Sequence, residues 1–161
     1  MSRVAVTSML LVLGLLGGCS NLSPFSTLTK LDLTFTASDE VNPDLHGRPS
    51  PVVVHLVELR HPVAFENTDF FSLYDRAEQV LPKDWVSSEE LELRPGEHLA
   101  LKLSVEPRSR YVGVLAAYRD LPHVQWRMVL AVAPGQLTRA HIVLDQTGIR
   151  RAVPQTDRTE D

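Results

Sequence analysis

The sequence predicts a mainly β protein, a β-sandwich of about seven strands with one short helical insertion between the second and third. Three observations predict it. Apolar and polar residues alternate through most of the chain after Lys30, the pattern of half-buried strands. Pro95-Gly96 and Pro134-Gly135 stand between alternating stretches, where hairpin turns belong. A single stretch, at about residues 65–82, instead carries its apolar residues at helical spacing.

The strands follow in order. Leu31, Leu33 and Phe35 alternate with Asp32, Thr34 and Thr36, and Val52 to Leu59 is rich in β-branched residues. Leu91 and Leu93 give a third strand over Glu90 to Arg94, and Leu99, Leu101, Leu103 and Val105 a fourth. Tyr111 to Tyr118 is apolar almost throughout, as a strand covered on both faces should be. Val124, Trp126, Met128, Leu130 and Val132 alternate again, with Trp126 expected in the core, and Ile142 and Leu144 close the series. In the exceptional stretch, Phe70, Leu73, Tyr74, Ala77, Val80 and Leu81 line one helix face. Thr68 or Asp69 suits its N-cap and Pro82 its end. That face is expected to pack on the sandwich.

Before this domain lies a different kind of segment. Arg3 precedes an apolar run from Val4 to Leu16, too short to span a bilayer and suited to the core of an export signal. Gly17, Gly18 and the sole cysteine, Cys19, follow. Leu16-Gly17-Gly18-Cys19 resembles a bacterial lipobox, which implies cleavage before Cys19 and a covalent N-acyl diacylglyceryl lipid on it. An ordinary cleaved signal with an incidental thiol is the other reading. Two or more acyl chains make such an anchor stable. Ser20 follows the cysteine, not Asp, and by resemblance to sorted lipoproteins that implies the outer membrane rather than inner-membrane retention. The expected organisation is therefore a lipoprotein signal peptide over 1–18, a tether over 19–29, the sandwich domain over 30–145 and a flexible tail over 146–161.

Composition removes several function classes. Against 16 Lys plus Arg stand 20 Asp plus Glu, a net charge of −4, which lacks the basic surplus of a nucleic-acid binder. One cysteine permits no internal disulfide and no multi-cysteine metal site. His46, His55, His61, His98, His123 and His141 are scattered without metal-ligand spacing. Asp39/Glu40 and Glu89/Glu90 are sequence neighbours, which extended chain points to opposite faces. No nucleophile elbow, phosphate loop or dinucleotide fingerprint occurs. The expectation is a non-enzymatic protein with no cofactor and no metal.

One loop stands out. Ser38 to Ser50 joins the first two strands, far longer than a plain hairpin of about two to five residues. It is rich in turn formers, and long loops on rigid sandwiches commonly carry recognition. A self-packed loop is the competing reading. Arg48 fits either a loop-fixing donor or an interface anchor, and the sequence does not separate the two.

Several stretches together resemble the TssJ family, the outer-membrane lipoproteins of bacterial type VI secretion. They are the lipobox at Cys19, Val41-Asn42-Pro43-Asp44, Gly47-Arg48-Pro49-Ser50-Pro51-Val52-Val53-Val54, Asp69-Phe70-Phe71-Ser72-Leu73-Tyr74, Pro95-Gly96-Glu97, Arg110-Tyr111-Val112-Gly113-Val114, Ala116-Ala117-Tyr118-Arg119-Asp120 and Trp126. Leu56-Val57-Glu58-Leu59 departs by lacking an aromatic near Val57. The resemblance implies a transthyretin-like sandwich with a helical insertion and a scaffold role. It implies lipid anchorage in the inner leaflet of the outer membrane, and capture of the periplasmic C-terminal domain of TssM, which shares a complex with TssL. It also implies that the loop between the first two strands grips TssM. That loop maps onto Asp39, Glu40, Val41, Asn42, Pro43, Asp44, Leu45, His46, Gly47 and Arg48, and shortening Glu40 to Arg48 is expected to leave folding intact. A pilotin-like escort of another outer-membrane protein and a carrier of small apolar ligands are the alternative classes. The anchor reading predicts that Cys19→Ser removes the protein from the membrane fraction, as fractionation followed by immunoblotting would record.

Overall fold

Alternation buries Leu31, Leu33, Phe35 and Ala37 on one face of β1 (Thr29–Ala37) and leaves Lys30 and Thr34 exposed on the other. The computed structural model, which describes residues 28–152, places this strand inside a four-stranded sheet. β1 pairs antiparallel with β4 (His98–Val105) and parallel with β7 (Leu137–Asp145), and β7 pairs with β8 (Gly148–Arg151). A second four-stranded sheet orders β3 (Trp85–Leu93), β2 (Val52–Leu59), β5 (Tyr111–Ala116) and β6 (Arg127–Ala131), with all neighbours antiparallel.

The inner faces of the two sheets make one core. Leu31, Leu33, Phe35, Ile142 and Leu144 meet Val52, Val54, Leu56, Val112 and Val114, all of them buried. The outer face of the second sheet is also apolar, which explains the uninterrupted hydrophobic run of β5. Its cover is the helical insertion, α1 (Val63–Asn67) and α2 (Phe70–Val80). Phe65, Leu73 and Leu81 pack there on Val57, Leu59 and Leu115. Asp69 caps α2 by accepting the Ser72 amide at 3.0 Å, and that bond holds its carboxyl below the usual range. Arg127 donates to the Phe65 and Thr68 carbonyls at the end of α1 and lies over the Trp126 ring. The Phe65 ring lies against the backbone of Gly113, where an added Cβ would sit 2.6 Å from ring carbon Cζ.

The sequence reading and the structure differ at four places. The insertion is two helices rather than one, because Thr68 is extended and Asp69 starts a new helix. β3 begins at Trp85, not near Glu90; its first half is an edge with Ser88, Glu89 and Glu90 exposed, so alternation is faint there. β6 begins at Arg127 after a single 3₁₀ turn (Leu121–His123), and Trp126 is only half-buried, packed on the margin of the core and edge-on to Phe70. Four residues read as flexible tail form β8, so the described residues contain eight strands. β8 is short and ends in Arg150-Arg151, which hides its pairing from a hydrophobicity pattern.

Chain direction gives the sandwich two ends. At one end lie the start of β1 and the connections Arg60–Pro62, Leu81–Asp84, Glu106–Arg110 and Val132–Gln136. They are stitched together by Arg110 N to the Leu59 carbonyl, Val132 N to the Arg110 carbonyl and Gly135 N to Thr29 Oγ1. At the other end lie the β1–β2, β3–β4, β5–β6 and β7–β8 connections. We predict that Gly113→Ala destabilises the protein by about 1–3 kcal/mol, because the buried Phe65 ring has no room to retreat. A lower thermal unfolding midpoint, with Phe65→Leu in the same chain restoring part of the loss, would register it.

Candidate functional site

The β1–β2 connection is built from the core outward. Val41 is wholly buried and belongs to the sandwich core. Its amide donates to the Ser38 carbonyl and its carbonyl accepts from Ser50 N, which closes the base of the loop. Asn42 adopts φ 49, a left-handed conformation that asparagine tolerates better than most residues. Its side chain is buried and used at both ends: Nδ2 donates to the Pro51 carbonyl at 2.8 Å, and Oδ1 accepts from Arg119 N at 2.8 Å. One carboxamide thus ties the loop to itself and to the β5–β6 connection.

Beyond Asn42 the chain closes a small ring. Asp44 N donates to the Arg48 carbonyl, and Gly47, at φ 75, donates to the Asp44 carbonyl. The Asp44 carboxylate accepts from His46 N at 2.8 Å and Arg48 N at 3.0 Å through Oδ1, and from Arg48 Nε at 2.8 Å through Oδ2. The bond from the Arg48 amide is the main cause that holds the Asp44 carboxyl below the ordinary range. Arg48 therefore has the loop-fixing geometry, with Nη2 also 2.8 Å from Oδ2. Asp39 lies over Gly96 in the β3–β4 turn, and Glu40 accepts from Gln146 Nε2. Pro43 is half-buried and His46 is exposed. Leu45, at the tip, is fully exposed at 103%.

A cleft of about 660 Å³ opens between this loop and the β5–β6 connection. Pro43, Leu45, Tyr118 and Val124 give it apolar walls, and Arg119 and His123 stand at its polar side. Tyr118 is buried, and that burial together with the nearby Asp145 carboxylate pushes its phenol well above the ordinary value. His123 Nδ1 lies 2.7 Å from Asp120 Oδ1. The sequence reading placed none of these β5–β6 residues in the site. Cys19 and the tether up to residue 27 lie outside the described residues. The loop's excision from Glu40 to Arg48, expected from sequence to spare the fold, would delete the core residue Val41 and the Asn42 clamp.

Among the described residues, no group of three His, Cys, Asp or Glu side chains converges on a metal position, and no helix is long and apolar enough to cross a membrane. The loop and the cleft beside it stand together at one end of a small β-sandwich. Residues 29–147 match the family described as type VI secretion lipoprotein (VasD, EvfM, TssJ), and the chain belongs to that family of structural, membrane-anchored lipoproteins. Among solved structures, the type VI lipoprotein TssJ1 from Pseudomonas aeruginosa is 33% identical with a TM-score of 0.75, over 78% of this chain and 95% of that one. Serratia marcescens Lip, a membrane-bound component of the type VI secretion system, is 28% identical with a TM-score of 0.72, over 78% and 98%. A chain of a type VI membrane complex, 23% identical with a TM-score of 0.69 over 78% and 99%, shares the fold. No curated protein matches the chain.

Two predictions come from the clamp and the ring. Asn42→Ala should cost about 1–3 kcal/mol in urea unfolding, because it leaves the Pro51 carbonyl and Arg119 amide without their partner. The Asp44 ring should titrate. Its folded pKa is depressed, so its contribution is complete above the unfolded value near 4 and is lost as pH falls through the lowered folded value. Hydrogen-exchange protection of the His46 and Arg48 amides, followed by NMR, should fall in that acid window while the β1 amides stay protected.

Proposed function

We propose that this chain is a non-enzymatic scaffold, anchored at the periplasmic face of the outer membrane by lipid on Cys19, that captures the periplasmic C-terminal domain of TssM. TssL is then held in the same assembly through TssM. The loop Asp39–Arg48 makes the contact, and the cleft beside it extends the contact onto the β5–β6 connection. The observation that carries this reading is the loop's construction: a fully exposed Leu45 held on a backbone fixed by Asn42, Asp44 and Arg48. Exposed apolar side chains on pre-ordered backbone bind with little ordering cost. A single loop falls short of the roughly 800 Å² per partner of a standard interface, and the cleft supplies further surface.

Membership of the type VI lipoprotein family supports the anchor and the complex. Topology supports the arrangement. The tether enters at the start of β1, and the loop leaves at its end, about 30 Å away for a nine-residue strand. The partner-binding surface thus faces away from the anchored end, toward an inner-membrane partner.

Leu45→Asp should weaken capture of the purified TssM C-terminal domain about tenfold or more, because it places a charge where an apolar anchor is desolvated. Calorimetric titration reads it, with unfolding by urea as the control for folding. Full affinity in the variant overturns the loop assignment.

A further inference from the structure

We propose that the end of the sandwich where β1 begins docks on an anionic phospholipid surface; this rests on the lipid-anchor reading above. The start of β1 and the connections at that end carry Lys30, Arg60, Lys83, Arg108 and Arg110, four of them exposed and Arg60 half-buried. The acids there are largely engaged with protein. Glu58 is half-buried and accepts from Ser109 Oγ at 2.6 Å and Glu106 N at 2.9 Å. Asp84 lies 2.9 Å from His61 Nδ1, which leaves Glu106 as the exposed acid of these connections. The opposite end has the reverse balance: Asp39, Glu40, Asp44, Glu97 and Asp120 outnumber Arg48, Arg94 and Arg119. Five of the fourteen described Lys and Arg thus stand at the end next to the tether, where few free acids oppose them.

Exposed apolar residues accompany the charge. Leu28, Val63 and Leu137 are 54%, 63% and 43% exposed at or beside this end. The ten residues from Cys19 to Leu28 reach at most about 35 Å when extended, so the lipid keeps this end near the headgroups. Basic residues gain from an anionic surface only within about one Debye length, near 10 Å, and a tether of this length leaves the end free to come that close. Acyl chains hold the protein to the bilayer, and the basic end orients the domain with the loop pointing away.

The test uses the mature lipoprotein, purified in detergent and reconstituted into vesicles containing a dansyl-labelled lipid. One set is phosphatidylcholine, the other contains phosphatidylglycerol. Trp85, paired with Leu59 at this end, serves as the energy donor, with Trp126→Phe in every protein tested so that it is the single tryptophan. The protein should float with both vesicle types, and transfer should be greater in the anionic set. That gain should vanish in high salt and in Lys83→Glu/Arg108→Glu, whose binding to the TssM domain stays unchanged, and should persist in Arg94→Glu/Arg119→Glu. Equal transfer in the two vesicle sets, with flotation intact, overturns the docking and spares the anchor. Loss of the gain in both double variants overturns its assignment to this end. Failure to float with either set overturns the anchor, and this proposal with it.

Discussion

β1 is hydrogen-bonded along both of its edges, and that constraint organises the molecule. On one side it runs antiparallel to β4 from Thr29↔Val105 to Thr36↔His98; on the other it runs parallel to β7 from Lys30↔Leu137 to Ala37↔Leu144. Its inner side chains, Leu31, Leu33, Phe35 and Ala37, are then fixed against the second sheet. Because the same strand begins at Thr29 at one end of the sandwich and finishes at the β1–β2 loop at the other, those two regions cannot approach each other without unzipping the core. Separation of the two ends is a property of this strand rather than of any surface residue.

Much of this architecture is visible in the sequence because burial on one face imposes a period of two residues. β1 and β4 show it plainly, and so do the inner residues of β7. The pattern fails where burial differs. β5 is covered on both faces, by the sandwich and by Phe65, so its residues read as uniformly apolar. The edge strand β3 exposes Ser88, Glu89 and Glu90 and reads as loop for half its length. β8 pairs through backbone while presenting arginines to solvent. The break between α1 and α2 lies in Thr68-Asp69, where a capping carboxylate restarts the helix, and a smooth apolar spacing across it conceals the interruption.

The loop was legible in length but not in mechanism. Its Pro and Gly content marks a structured turn, and the spacing of Asp44, Gly47 and Arg48 is compatible with the ring they form. What fixes the whole, Asn42 reaching Arg119 N, joins positions far apart in the chain and leaves no local signature. The same holds for the cleft. Tyr118, Arg119 and His123 have no feature that singles them out until the fold sets them beside Pro43 and Leu45. Recognition surfaces made from several connections are assembled by topology, so sequence shows their parts and not their adjacency.

The parallel partner of β1 arrives roughly a hundred residues after it. A nascent chain therefore emerges with its central strand half-paired, and the native sandwich waits for the last third of the polypeptide. Such high contact order slows folding. Until β7 zips into place, that side of β1 is an open strand edge, a row of unpaired backbone groups on which another chain can add.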